Sequence, residues 1–115
     1  MIRKFGKSLV YAFNGLRDVL LRENNFKIML VVATATLFAM FYFPTEHLEK
    51  AILLVMIFVV LILELINSVI ERIMDFVHPG HHDEVRNIKD LMAAIVLIVT
   101  IGATIIGLFV LWPYF

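Results

Sequence analysis

Residues 51–75 read AILLVMIFVVLILELINSVIERIMD. The first thirteen, Ala51 to Leu63, are aliphatic, Met or Phe, with no charge among them. A run this uniform is what a membrane-crossing helix needs, and a loop is expected where the bilayer ends. Instead the sequence continues in good helix formers that include Glu64, Asn67, Glu71 and Asp75. At about 100° per residue these four fall within an arc of about 80°, so they form one polar stripe. Ser68 lies beside the stripe, while Leu65, Ile66, Ile70 and Ile73 cover much of the remaining surface. Glu64 is expected about 10 Å deeper than Glu71 along the axis. An ionised acid at that depth costs about 2.5–3.5 kcal/mol even on a lenient insertion scale. A metal, a cation or a proton must offset it.

The 115-residue length fits one domain. Hydrophobic residues make up 62% and charged residues 17%, with mean hydropathy +0.94. Soluble domains lie near half apolar and a quarter charged, so the fold class expected is an all-α integral membrane protein. Ten basic and ten acidic residues balance, which argues against nucleic acid or another polyanion as partner. With no cysteine, disulfides and thiolate metal sites are excluded.

Upstream, residues 1–22 place Ile2, Phe5, Leu9, Val10, Phe13, Leu16 and Leu20 at helical spacing, with Arg3, Lys4, Lys7, Asn14 and Arg17 among them. That pattern predicts a basic amphipathic helix lying in the headgroup region; Gly6 and Gly15 weaken its continuity. Charge and apolar residues mix throughout it, unlike a cleavable signal peptide. A first span is expected over 28–43, stopped by Pro44, and Phe41, Tyr42 and Phe43 form an aromatic end. Thr45 is the expected N-cap of a second span over 51–75, with Glu46 and Glu49 in its first turn. The loop FVHPGHHDEVRN follows, and a third span covers 91–112. Ala103 and Gly107 offer a small-residue pair for close helix contact.

Nine of the ten basic residues precede the first span or lie between the second and third; only Lys50 is on the other side. The side rich in Lys and Arg is expected to be the cytoplasm, which puts the N-terminus inside and the C-terminus outside in the inner membrane.

Two further acids can join the stripe: Glu23, in LRENNFK before the first span, and Asp90, beside Lys89 before the third. If the spans bundle, Glu23, Glu71, Asp75, Lys89 and Asp90 meet at one depth. Carboxylates in this number suit Mg²⁺ with phosphate oxygens and water, and a lysine suits phosphate. Glu64, deeper and drier, is placed to act as general base. The constellation points to phosphoryl transfer at a membrane surface. Intramembrane acids also serve proton-coupled transporters, so a small oligomeric transporter using Glu64 stays open on spacing alone. There is no GxxxxGK[ST], GxGxxG, HRD or DFG motif to indicate a nucleotide.

LELINSVIERIMD followed by KD, together with KSLVYAFNGL and ENNF, closely resembles the prokaryotic diacylglycerol kinase family, which includes the undecaprenol kinases. The resemblance covers most of the chain. It implies a homotrimer of three-span protomers with a surface helix, using ATP and Mg²⁺ to phosphorylate a lipid alcohol at the cytoplasmic face. By resemblance, Glu64 is the catalytic base, with Asn67 organising it. Glu23 and Glu71 are the metal pair. Lys4, Tyr11, Asp75, His82, Lys89 and Asp90 match nucleotide-site positions. Met29 stands where many members carry Glu or His, and Ser68 replaces the commoner Thr. His78, His81 and His82 suggest a metal cluster less than a solvated loop.

Overall fold

A computed structural model describes residues 1–80 and 82–115. Four helices follow in order: α1 (Ile2–Arg22), α2 (Asn24–Tyr42), α3 (His47–Val77) and α4 (Asp83–Leu111), with one 3-10 turn at Trp112–Tyr114. No strand occurs among the described residues. Three helices are long and apolar enough to cross a membrane. α3 is central, packing against both α2 and α4.

The buried apolar set is sparse: Val19, Phe26, Ala33, Met40, Leu53, Val85 and Met92. Large apolar residues such as Val32, Phe38, Phe58, Ile62, Leu97 and Phe109 are exposed along the three long helices. In water such a surface would aggregate; in a bilayer it faces lipid or other helices. With the backbone hydrogen bonds closed within each helix, the chain is a multi-pass membrane protein.

The helices outrun the apolar blocks that announced them. α3 has 31 residues, about 46 Å at 1.5 Å each, against a hydrocarbon core of about 30 Å. α4 begins at Asp83, eight residues before the apolar block at Leu91. Asp83 and Glu84 sit in its first turn, where the helix dipole favours acids, and His82 Nδ1 accepts the Glu84 N–H at 3.2 Å. Hydropathy marks the lipid-facing segment; capping chemistry marks the helix.

Thr45 is not the N-cap of α3. Glu46 takes that place in a reciprocal capping box with Glu49, whose Oε1 accepts the Glu46 N–H at 2.8 Å. The Thr45 hydroxyl instead donates to the Met40 carbonyl at 2.8 Å and is buried. Around this turn, Tyr114 donates its hydroxyl hydrogen to Glu49. Phe43 stacks on Tyr114 with ring centres 6.0 Å apart and meets Phe115 edge-on at 5.1 Å. These contacts tie the end of α4 to the α2–α3 turn.

At the other end, Gly6 and Gly15 do not interrupt α1, which is continuous over its 21 residues. Residues 1–17 are all exposed, and burial begins only at Asp18, Val19 and Leu20. α1 therefore joins the bundle through its last turn, leaving its apolar face for a membrane surface. A single non-helical residue, Glu23, with φ −106° and ψ 108°, separates α1 from α2. The extended backbone there makes the corner that positions its carboxylate.

Candidate functional site

The register of α3 places Glu64, Asn67 and Ser68 toward its neighbours, and all three are buried, at 3%, 9% and 2% exposure. Three polar side chains within about 6 Å of helix rise, on a helix otherwise apolar toward its centre, need a chemical reason. The Asn67 side chain lies close to the Glu64 carboxylate. The Ser68 hydroxyl has no hydrogen-bond partner among the described residues.

Above this buried group the charges begin. Glu71, one turn further along α3, and Glu23, at the α1–α2 corner, are both close enough to act electrostatically on Glu64. Carboxylates from two different elements therefore lie near one buried acid. Among the described residues no three His, Cys, Asp or Glu side chains close into a metal cage of their own. Mg²⁺ rarely asks for one: it takes one or two carboxylates and completes its shell with water and substrate phosphates. Glu23 and Glu71 fit that demand.

Lys89 on α4 reaches across to α3 and pairs with Asp75 at 2.5 Å. Both were expected at a phosphate-binding mouth, and the fold brings them together. Asp90 is adjacent and exposed. His82 caps α4 as described, and its ring stacks on His78 with centres 4.9 Å apart; His81 lies outside the described residues. Lys4 and Tyr11 do not join the group within one chain. Both are on α1, exposed, and helix rise puts Tyr11 about 18 Å and Lys4 about 28 Å along the axis from Glu23.

Two further residues emerge only in three dimensions. Arg72 Nη1 donates to Asp18, and Nη2 lies 3.4 Å from Glu23 Oε1. The second Asp18 oxygen takes Arg22 Nε at 3.1 Å. The Arg72 hydrogen bond holds the Asp18 carboxyl below its ordinary range; burial opposes it, and the charges of Arg22 and Arg72 add smaller favourable contributions. In sequence, Arg72 carried only orientation, and Asp18 was one acid in a basic helix. No spacing rule joins residues 54 apart.

Between α2, α3 and α4 lies a half-open apolar cavity of about 350 Å³, with Met29, Ala33, Leu61, Ala103 and Gly107 in its wall. Leu61 is three residues before Glu64 on α3, about 4.5 Å of helix rise from it. Met29 gives this wall no polar group.

A buried acid with carboxylates and a lysine above it, on helices that cross a bilayer, defines a membrane enzyme acting at the lipid boundary. The sequence pattern of prokaryotic diacylglycerol kinase matches residues 10–111. An undecaprenol kinase of Bacillus subtilis (strain 168) is 30% identical over 112 residues, covering 97% of this chain and 91% of that protein. A diacylglycerol kinase of Helicobacter pylori is 30% identical over 104 residues, covering 90% and 81% respectively. The diacylglycerol kinase of Escherichia coli (strain K12) is 28% identical over 109 residues, covering 95% and 89%. The chain belongs to the prokaryotic diacylglycerol kinase family and is a lipid kinase. The transporter alternative left open by spacing finds no support.

Proposed function

We propose that this lipid kinase transfers the γ-phosphoryl group of ATP to the hydroxyl of a membrane lipid alcohol at the cytoplasmic face of the inner membrane. The observation that carries this is the buried Glu64–Asn67 pair beneath two carboxylates from separate elements. A base buried in the bilayer has a use when the nucleophile itself arrives from the bilayer.

Glu64 takes the proton of the acceptor hydroxyl as its oxygen attacks the γ-phosphorus in line. The new O–P bond replaces the bond to ADP, and no phosphoenzyme is required. Asn67 orients the Glu64 carboxylate through its side-chain amide. Glu23 and Glu71 would hold Mg²⁺, which when bound neutralises β- and γ-phosphate oxygens. Lys89, paired with Asp75, would turn to bound phosphates and spread their developing charge. By the family resemblance, Asp75, Asp90 and His82 would serve the nucleotide.

Diacylglycerol and undecaprenol, the acceptors in the relatives' names, both present a primary hydroxyl on a long apolar body. The cavity beside Leu61 and Met29 supports a hydrocarbon chain reaching Glu64 from the lipid side. A homotrimer is the assembly the family resemblance implies, and the exposed apolar helix faces leave room for it. Lys4 and Tyr11, too far from Glu23 in their own chain, would then serve a neighbouring copy's site.

Purified protein in mixed micelles, given γ-labelled ATP and each lipid in parallel, tests this. The expected result is a labelled phospholipid from one or both alcohols, dependent on Mg²⁺. No label in either lipid from a folded preparation overturns it.

A further inference from the structure

Arg72 poses a problem for the site as described. It lies 3.4 Å from Glu23, so a guanidinium sits beside one of the two carboxylates assigned to a cation. Left free, it would move fully onto Glu23 and compete with that cation. Asp18 prevents this. It holds Nη1 of Arg72, and Arg22 in turn holds its other oxygen. The contact to Asp18 is close, while the contact to Glu23 is at the long limit of a hydrogen bond. The arrangement is lopsided toward α1.

We propose that Asp18 is a positioning residue that draws Arg72 away from Glu23, leaving that carboxylate available to join Glu71 on a divalent cation. The same pair docks the surface helix: among the described residues, Arg72 makes the side-chain hydrogen bonds that link α1 and its corner to α3. Docking of α1 and availability of the cation site are thereby set by one guanidinium. Asp18 touches neither substrate nor cation. This rests on the assignment of Glu23 and Glu71 as the cation's carboxylates.

The test is Mn²⁺ binding, followed by electron paramagnetic resonance with a non-hydrolysable ATP analogue on full-length protein in micelles. Asp18→Asn is expected to weaken Mn²⁺ binding about two- to fivefold, the scale of one partly exposed ion pair. Arg72→Gln is expected to bind Mn²⁺ at least as tightly as the wild type. The double variant is expected to match Arg72→Gln, because Asp18 has nothing left to restrain. A role limited to docking α1 predicts the reverse, since the double variant lacks the same link. Wild-type binding in Asp18→Asn, or a double variant as weak as Asp18→Asn, overturns the proposal. Glu23→Gln and Glu71→Gln separate the two levels. If either abolishes Mn²⁺ binding while Asp18→Asn does not alter it, only the positioning role falls. If both leave it unchanged, the metal assignment falls and the positioning role with it.

Discussion

Replacing Glu64 by Gln isolates the proton-accepting role at almost constant shape. Glu64 is 3% exposed, so a change of volume there would disturb the packing of α3, and Gln makes almost none. Its amide oxygen can still accept from Asn67, but it cannot accept the acceptor's proton. Loss of a positioned general base lowers turnover by about 10²–10⁴-fold, a rise of about 2.7–5.4 kcal/mol in the barrier. Stability is expected to move the other way or not at all, since an ionised acid at this depth is disfavoured by about 2.5–3.5 kcal/mol. The assay is initial-rate transfer of label from ATP to lipid, with thermal unfolding by circular dichroism in the same micelles. Turnover within about tenfold of wild type, in a folded variant, would refute Glu64 as base.

Glu71→Gln should shift the Mg²⁺ titration of activity to higher concentration at fixed ATP; an unchanged titration removes Glu71 from the metal site. Ser68→Ala removes a buried hydroxyl with no partner among the described residues and favours the helix, so stability should hold or rise by up to about 1 kcal/mol; a clear drop in the unfolding temperature would show the hydroxyl has a partner in the membrane. Asp18 has a depressed carboxyl pKa, so its contribution is present above the ordinary carboxylate range and is lost as pH falls through the folded value. Hydrogen exchange in the last turn of α1, corrected for intrinsic rates, should accelerate on acidification through that window in the wild type. In Asp18→Asn the same turn should be fast at neutral pH and flat with acid.

The polar stripe was legible because it needs only helical period. Once the apolar run at Ala51 to Leu63 fixed α3 as a helix, the spacing of 64, 67 and 71 fixed a shared face, and Glu64 and Asn67 are buried on it. Asp75, on the same stripe, is exposed although it pairs with Lys89 of α4. Helix ends were less legible. Asp83 and Glu84 look like loop residues by hydropathy, yet the dipole and the His82 cap make them the start of α4. Thr45 was the better cap by residue type, but the reciprocal Glu46–Glu49 box took the position. The Asp18–Arg72–Glu23 link was invisible in sequence, since it depends on the corner at Glu23 and on how α1 meets α3. Lys4 and Tyr11 came from family resemblance alone, and the geometry of one chain gives them no place beside Glu23.

The most direct measurement is anomalous diffraction from crystals grown with Mn²⁺ and a non-hydrolysable ATP analogue. A manganese peak bound by carboxylate oxygens of both Glu23 and Glu71, with the γ-phosphate above Glu64, is the expected result. A peak on phosphates and other side chains, with neither of those two glutamates in its shell, would contradict it.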